Sequence, residues 1–559
     1  MSPRSAAILR FLFACAAIAG AVWGANRFLI WRATQWVVRE GEAIIQPAAG
    51  PGDLDASVRR WVEKTQATWP RDLDALVDAL YAVGPAGSPA VRAMLERVAR
   101  VNYGDRDGDW ERWHENRESY TGDAAPSVGS RERVALKPRW KTAVGLTGWF
   151  SSILVLDKQV FVSSLGSALE DPNDLDDGVV LIDGTTGKPE LIPSPVFDGA
   201  RDVLGLSAGD DRIFAVCRNG VVFAIDREGH QQWVQRLKGA ALGPPMSLDI
   251  NQDGVVDVLV VTRGGRVEAL DGSRHTTLWT SRELSPGLQA LGAVLSRGAG
   301  RDVWVTLPDG AVALLDGRTG KERAVHQQPP GTLGGVVTDG LGLTGGASGA
   351  WFADRYGRLW SAAGNRQPPT FLPASPPAGD GLTLIAAART IQRKLGEQPL
   401  LLLCPTSPDP DKGASVWALD LMGTYWRAPL PGAVWSTPLV ANLNSASGCE
   451  ILVATIEAGN EGRLTGQIRV FSGSGHPLFR MSIPASIEAT PTLADVDGDN
   501  RLELLIADQS GQLHCFSTNS AGPVEWGSLG GDPHNTRSSR NAYSFGQRPS
   551  GLQWKWRPE

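Results

Sequence analysis

Four stretches decide the fold: IFAVCRNGVVFAIDREGHQQW (213–233), VLVVTRGGRVEALDGSRHTTLW (258–279), VWVTLPDGAVALLDGRTGKERA (303–324) and LLIADQSGQLHCFSTNSAGPVEW (504–526). They align turn for turn. Each runs from an apolar strand through a Gly-containing turn into a second strand, then an Asp/Ser-Gly turn and, in three of the four, a Trp. The same succession begins near Val160, Ile213, Val258, Val303, Phe352, Leu400, Ile451 and Leu504. A unit this small cannot bury both faces of its own sheet, whereas radial stacking buries each sheet against the next and leaves only short edges. The expected architecture is therefore an all-β propeller, of eight blades or of seven if the unit around Phe352 or Leu400 elaborates a neighbour.

Composition agrees with that reading. The 559 residues include Gly 65, Pro 37 and Trp 20 against Met 5, a balance of tight turns and large flat anchors. Apolar residues make up 42% and charged residues 20%, enough for a substantial core. Lys plus Arg is 54 against Asp plus Glu 60, a net charge of −6, which removes the basic footprint of a general nucleic-acid binder. Cys15, Cys217, Cys404, Cys449 and Cys515 form no CxxC or vicinal pair, which excludes a standard structural zinc site and a disulfide scaffold while leaving room for one or two long-range bridges.

Arg4 and Arg10 precede an uncharged run from Phe11 to Asn26, the pattern of export or anchoring. Ala19-Gly20-Ala21 suits a cleaved signal peptide, and the aromatic stretch FLIWRATQWVV beyond it suits an uncleaved signal-anchor, so residues 1–40 are expected to direct the chain to a membrane. Helical spacing follows over 41–119, with Leu54, Val58, Trp61 and Val62, then Leu73, Leu76, Val77 and Leu80, then Val91, Met94, Leu95 and Val98. This predicts a small α-helical module resembling a HEAT-type repeat. A polar linker at 120–136, the propeller at 137–537 and a tail at 538–559 complete the organisation.

LIDGTTGKPEL (181–191), LLDGRTGKERA (314–324) and AIDREGHQQW (224–233) resemble the quinoprotein-type, or PQQ-like, blade repeat A-x-D-x-x-T-G-x-x-x-W. The resemblance covers most of 137–536, and WGSLGGDPHNTR (526–537) is similar to the closing segment of such propellers. It implies the fold and leaves function open, because one propeller serves enzymes, scaffolds and adhesins alike.

Two acidic loops carry the chemistry. DINQDGVVDVLVV from Asp249 and DVDGDNRLELLIA from Asp495 place oxygen side chains at positions 1, 3, 5 and 9 and then enter a strand. Calcium takes six to eight hard oxygens, which alternating acids and a backbone carbonyl on a tight loop can supply. The expected Ca2+ ligands are Asp249, Asn251, Asp253, the Val255 carbonyl and Asp257 in one loop. In the other they are Asp495, Asp497, Asp499, the Arg501 carbonyl and Glu503. The last acid stands at position 9 between strands, not at position 12 between helices as in an EF-hand. This resembles FG-GAP/VCBS calcium blades, although no Phe-Gly or Gly-Ala-Pro flanks either loop. The competing reading is a pair of Asx turns without metal. Degraded copies keep Asn442, Asn444 and Glu450, or Asp302 alone.

The expected function is a non-catalytic, membrane-tethered, extracytoplasmic calcium-binding scaffold or adhesion module with a protein or glycan partner and no nucleic acid. The alternative that the resemblance implies is a PQQ-dependent dehydrogenase. Its enzymes commonly carry an adjacent Cys-Cys disulfide beside the quinone, and the cysteines here are isolated.

Overall fold

The computed structural model describes residues 134–535, apart from intervening stretches of which the longest are 339–348 and 372–382. The chain divides into two compact units, Met1–Pro126 and Ser127–Glu559, and only the second contains described residues. The expected signal segment, the helical module, most of the linker and the tail from 538 lie outside them. Among the described residues no helix is long and apolar enough to cross a membrane.

The described residues form eight antiparallel sheets. Their first strands, in chain order, are Ile153–Leu156, Val203–Ala208, Met246–Leu248, Ala290–Val294, Val336–Thr338, Thr383–Gln392, Leu439–Ala441 and Thr492–Ala494. Each is followed by a second and a third strand pairing outward, and in the first seven sheets by an outer one. The starting points read from the repeats fall on the second strands, Gln159–Leu165 in the first sheet and Glu503–Asp508 in the eighth. Neighbouring sheets touch all the way round, the eighth against the first, so the ring closes as a β-propeller with the first strands innermost.

Period-two alternation explains the packing. In the second strand of the second sheet, Ile213, Ala215 and Cys217 enter a core shared with Phe161 and Val179 of the first sheet, while Phe214 and Val216 enter one shared with Val258 and Val260 of the third. Both faces are buried, so the strand is apolar from Ile213 to Cys217.

The ring is locked twice. Lys137–Ala143 supplies the outer strand of the eighth sheet, pairing with Gln512–Ser517 in the register Trp140↔Cys515. The stretch ending at Trp526 does not complete that sheet as its alignment implied. Val524–Trp526 instead adds to the inner edge of Leu439–Ala441, with Val440 opposite Trp526. The chain then runs across the inner edges of the second and third sheets: Ala208 N–H donates to Pro533 O at 2.8 Å and Ser247 N–H to His534 O at 2.9 Å. The Asn535 side-chain amide reaches Leu206 O and Pro245 O at 2.7 and 3.0 Å. This return satisfies edge groups that a ring would otherwise leave open.

Between sheets the recurring Trp is the fastener. The indole N–H groups of Trp140, Trp233, Trp279 and Trp426 donate to Gly184 O, Gly272 O, Gly317 O and Gly473 O at 2.8, 3.1, 2.7 and 2.9 Å, each on the following sheet. A bulge precedes each Trp, because two outer-strand residues there oppose one on the third strand.

Candidate metal centre

Both acidic loops join a first strand to a second, so both lie on one face of the ring. The acid at position 9 opens the second strand and is buried: Asp257 and Glu503 are each 0% exposed. Each braces its own loop. Ile250 N–H donates to Asp257 Oδ2 and Val496 N–H to Glu503 Oε2, both at 3.1 Å. In the degraded copy Leu443 N–H donates to Glu450 Oε2 at 2.6 Å, and Asn444 donates to the other oxygen at 2.8 Å. The repeat thus keeps an acid here even where positions 1 and 3 are amides and position 5 has lost its oxygen, because it satisfies a buried amide.

The two intact loops differ in what they bring together. The carboxylates of Asp495, Asp497 and Glu503 converge, with one oxygen of each within 4.8 Å of the others, the sole such trio of His, Cys, Asp or Glu found among the described residues. Asp499 stands outside it and accepts the Arg501 N–H at 2.8 Å. Asp249, Asp253 and Asp257 do not gather in this way. Both loops are Asx networks: here Asp249 accepts from Asp253 N–H at 3.0 Å, Asn251 from the same amide at 2.9 Å, and Asp253 from Val255 N–H at 2.9 Å, while Asp495 accepts from Gly498 and Asn500 N–H at 2.7 and 3.0 Å. The adjacent Val256 N–H reaches Asp210 of the preceding sheet at 3.3 Å.

Sequence reasoning missed a cation. Arg139, the bulge residue of the ring-closing strand, approaches Asp497 at 2.5 Å and Glu503 at 3.0 Å. Arg323, at the matching bulge of the fourth sheet, holds Asp302 at 3.1 Å, where the loop has lost its other acids. Burial pushes the Glu503 carboxyl up to about 7, against the Val496 amide and Arg139. Burial likewise lifts Asp257 to about 7, against the Gly272 and Ile250 amides. Asp497 ends below the ordinary carboxylate range, because Arg139 and the Asp499 amide outweigh its burial. The trio fits a hard divalent cation in donor type and convergence, and a guanidinium already sits beside two of its three members.

Cys217, Cys404, Cys449 and Cys515 are buried and not joined in disulfides. Burial drives the Cys217 and Cys404 thiols far above their usual range, so they act as small apolar groups.

Residues 199–337 match the PQQ_2 family model, described as outer membrane protein assembly factor BamB. The chain is a β-propeller that carries the PQQ-type repeat over residues 199–337. Among solved structures it resembles Saccharomyces cerevisiae Sqt1 at 10% identity, covering 68% of this chain and 99% of that one with a TM-score of 0.52, a likeness of fold alone. It also aligns with BamB from Moraxella catarrhalis at 15% identity, over 68% of this chain and 100% of that one, with a TM-score of 0.45. A europium-containing methanol dehydrogenase aligns at 14% identity, over 71% and 95%, with a TM-score of 0.46. No curated relative matches the sequence.

Proposed function

We propose that this PQQ-repeat propeller is a non-catalytic, extracytoplasmic scaffold that docks a protein partner, tethered to a membrane by its N-terminal segment and carrying Ca2+ in the Asp495 loop. An exposed apolar patch on the first sheet carries the reading. Leu169 and Leu175, between its second and third strands, are 59% and 73% exposed. Val196 and Phe197, on the connection to the second sheet, are 82% and 39% exposed. The Arg201 guanidinium ties the two segments together by donating to Asp174 O at 2.5 Å. Large apolar side chains held in water on one sheet edge mark a surface that another molecule covers. The family match over 199–337, to an outer membrane assembly factor, supports the same class of role and an extracytoplasmic location.

Calcium rests on the convergence of Asp495, Asp497 and Glu503. Bound there, the ion would add positive charge to a trio that Arg139 neutralises only in part. The Asp249 loop is a weaker candidate, since its acids do not converge as the Asp495 trio does.

A photo-crosslinking amino acid at Val196, in the full chain in its native cell, should give one discrete adduct. The same group at Glu228, exposed on a turn of the second sheet at the other face of the ring, should not. No adduct from Val196, or identical adducts from both, would sink the docking surface. Purified protein that takes up pyrroloquinoline quinone and reduces a dye with an alcohol would establish the dehydrogenase instead. A C-terminal alkaline phosphatase fusion reads the location, and an active one is expected.

A further inference from the structure

Four residues before three consecutive first strands, at the same repeat position, stand Trp435 (seventh sheet), Glu488 (eighth) and Trp149 (first). The connections bearing them lie on the face of the ring opposite the acidic loops, where the first strands begin. The rings of Trp149 and Trp435 meet across the eighth sheet, their centroids 5.4 Å apart and their planes inclined at 50°. Phe150 abuts Trp149 at 5.9 Å.

Hydrogen bonds tie the segment that carries Glu488 to the connections of both rings. Two residues after it, Thr490 Oγ1 accepts the N–H of Thr437, which is two residues after Trp435, at 3.1 Å. Two residues before it, Ser486 O accepts the Gln509 N–H at 2.9 Å, and the Gln509 side chain donates to Thr147 O, two residues before Trp149, at 2.5 Å. The connections holding both rings are therefore bonded directly or through one residue to the segment that carries the carboxylate.

Glu488 itself is half-buried and makes no hydrogen bond or ion pair among the described residues. Burial alone raises its carboxyl, with no cation drawing it down. Two other acids of the ring are paired: buried Asp508 with His514 at 2.7 Å, and half-buried Glu457 with Arg469 at 2.5 Å. The indole N–H of Trp149 is buried and without a partner as well. An unpaired carboxylate on a segment bonded to the connections of two inclined indoles matches one ligand chemistry, a cation with an alkyl flank, which gains from ring quadrupoles and from opposite charge together.

We propose that Trp149, Trp435 and Glu488 form a binding site for an alkylammonium group at the axial end of the propeller. The site is independent of the apolar patch and of the calcium loops. Its two sources are a free amine and a lysine side chain presented by another protein.

The test is calorimetric and ligand-observed NMR titration of the whole protein with n-butylammonium, with N-acetyl-lysine methylamide and with neutral n-butanol. One or both ammonium ligands should bind saturably, and butanol should not. Binding of the lysine derivative alone assigns the site to a protein side chain, and of butylammonium alone to a free amine. Glu488→Gln and Trp435→Ala should each weaken binding about tenfold or more, with the Tm of Glu488→Gln unchanged. Butanol binding as tightly as butylammonium, undiminished affinity in Glu488→Gln, or no saturable signal would overturn the proposal. So would a fall in the Tm of Glu488→Gln that Glu488→Asp does not reproduce, since the carboxylamide swap would then have exposed a structural role.

Discussion

Arg139 and Glu503 lie 3.0 Å apart within the eighth sheet, although the first comes from the earliest described strand of the chain and the second from near its end. The same guanidinium bonds Asp497, so ring closure and acidic-loop neutralisation share one side chain. Replacing it separates the two effects. Arg139→Met should lower the Tm of EGTA-treated protein, because Asp497 and Glu503 then face each other without a counter-ion. It should also enlarge the Tm rise on adding Ca2+, since the ion no longer competes with a fixed cation. A variant with a lower Tm and no larger calcium response would mean that the arginine is the loop's sole intended cation.

Calcium itself should act through the native state only, because a disordered loop cannot hold these oxygens in one shell. At a hundredfold excess over its dissociation constant, one bound ion stabilises by about 2.7 kcal/mol. Asp495→Ala with Asp497→Ala should abolish most of that gain, and Asp249→Ala with Asp253→Ala should remove little. Thermal unfolding with and without millimolar Ca2+ checks both, and equal losses from the two pairs would restore the expectation of two equivalent sites.

The contrast between those loops shows where the sequence is legible. Positions 1, 3, 5 and 9 follow from local spacing, and the structure puts the first three on strand-to-strand loops of one face and the last at the start of the second strand. The partners come from elsewhere. Arg139 sits 358 residues from Asp497, and no periodicity within a blade announces it. Trp526 misled for a similar reason: it ends a stretch with the repeat pattern, yet an N-terminal strand had already taken the outer edge of that sheet. The pairing of Trp149 with Trp435 is likewise a product of ring closure. Strand order, turns and the Trp motif are local properties. Side-chain company at the seam depends on which two ends of the chain meet.

Glu268 offers a pH probe away from every proposed ligand. It is 1% exposed and accepts the Lys238 N–H at 2.9 Å, and burial raises its pKa above 4.5 despite that bond and the nearby Lys238 and Arg266 charges. The folded state therefore binds this proton more tightly than the unfolded state does. Its favourable contribution is fully present below the unfolded pKa and is lost as pH rises through the folded one. Glu268→Gln keeps an acceptor for Lys238 and removes the titration. Urea unfolding from pH 4 upward should show wild-type stability declining relative to this variant, and parallel curves would refute the assignment.

The interblade fastener makes the most direct demand on a single residue. Gly320 adopts φ +66°, and a Cβ built on it would stand 2.3 Å from Cε3 of Trp279, the indole of the preceding sheet. Gly320→Ala therefore meets two penalties: about 1–2 kcal/mol for the left-handed backbone, and about 1–3 kcal/mol for displacing a packed ring. Trp279→Phe loses instead the 2.7 Å bond to Gly317 O, worth about 1 kcal/mol, together with part of the ring's contact area. Because the first substitution pushes on the ring that the second shrinks, the two cannot be independent. The double variant should be less destabilised than the sum of the singles, by roughly 0.5–3 kcal/mol in a double-mutant cycle of urea unfolding. Strict additivity would show that the indole does not rest on Gly320, and that the Trp-to-glycine contact between sheets is not what secures this seam.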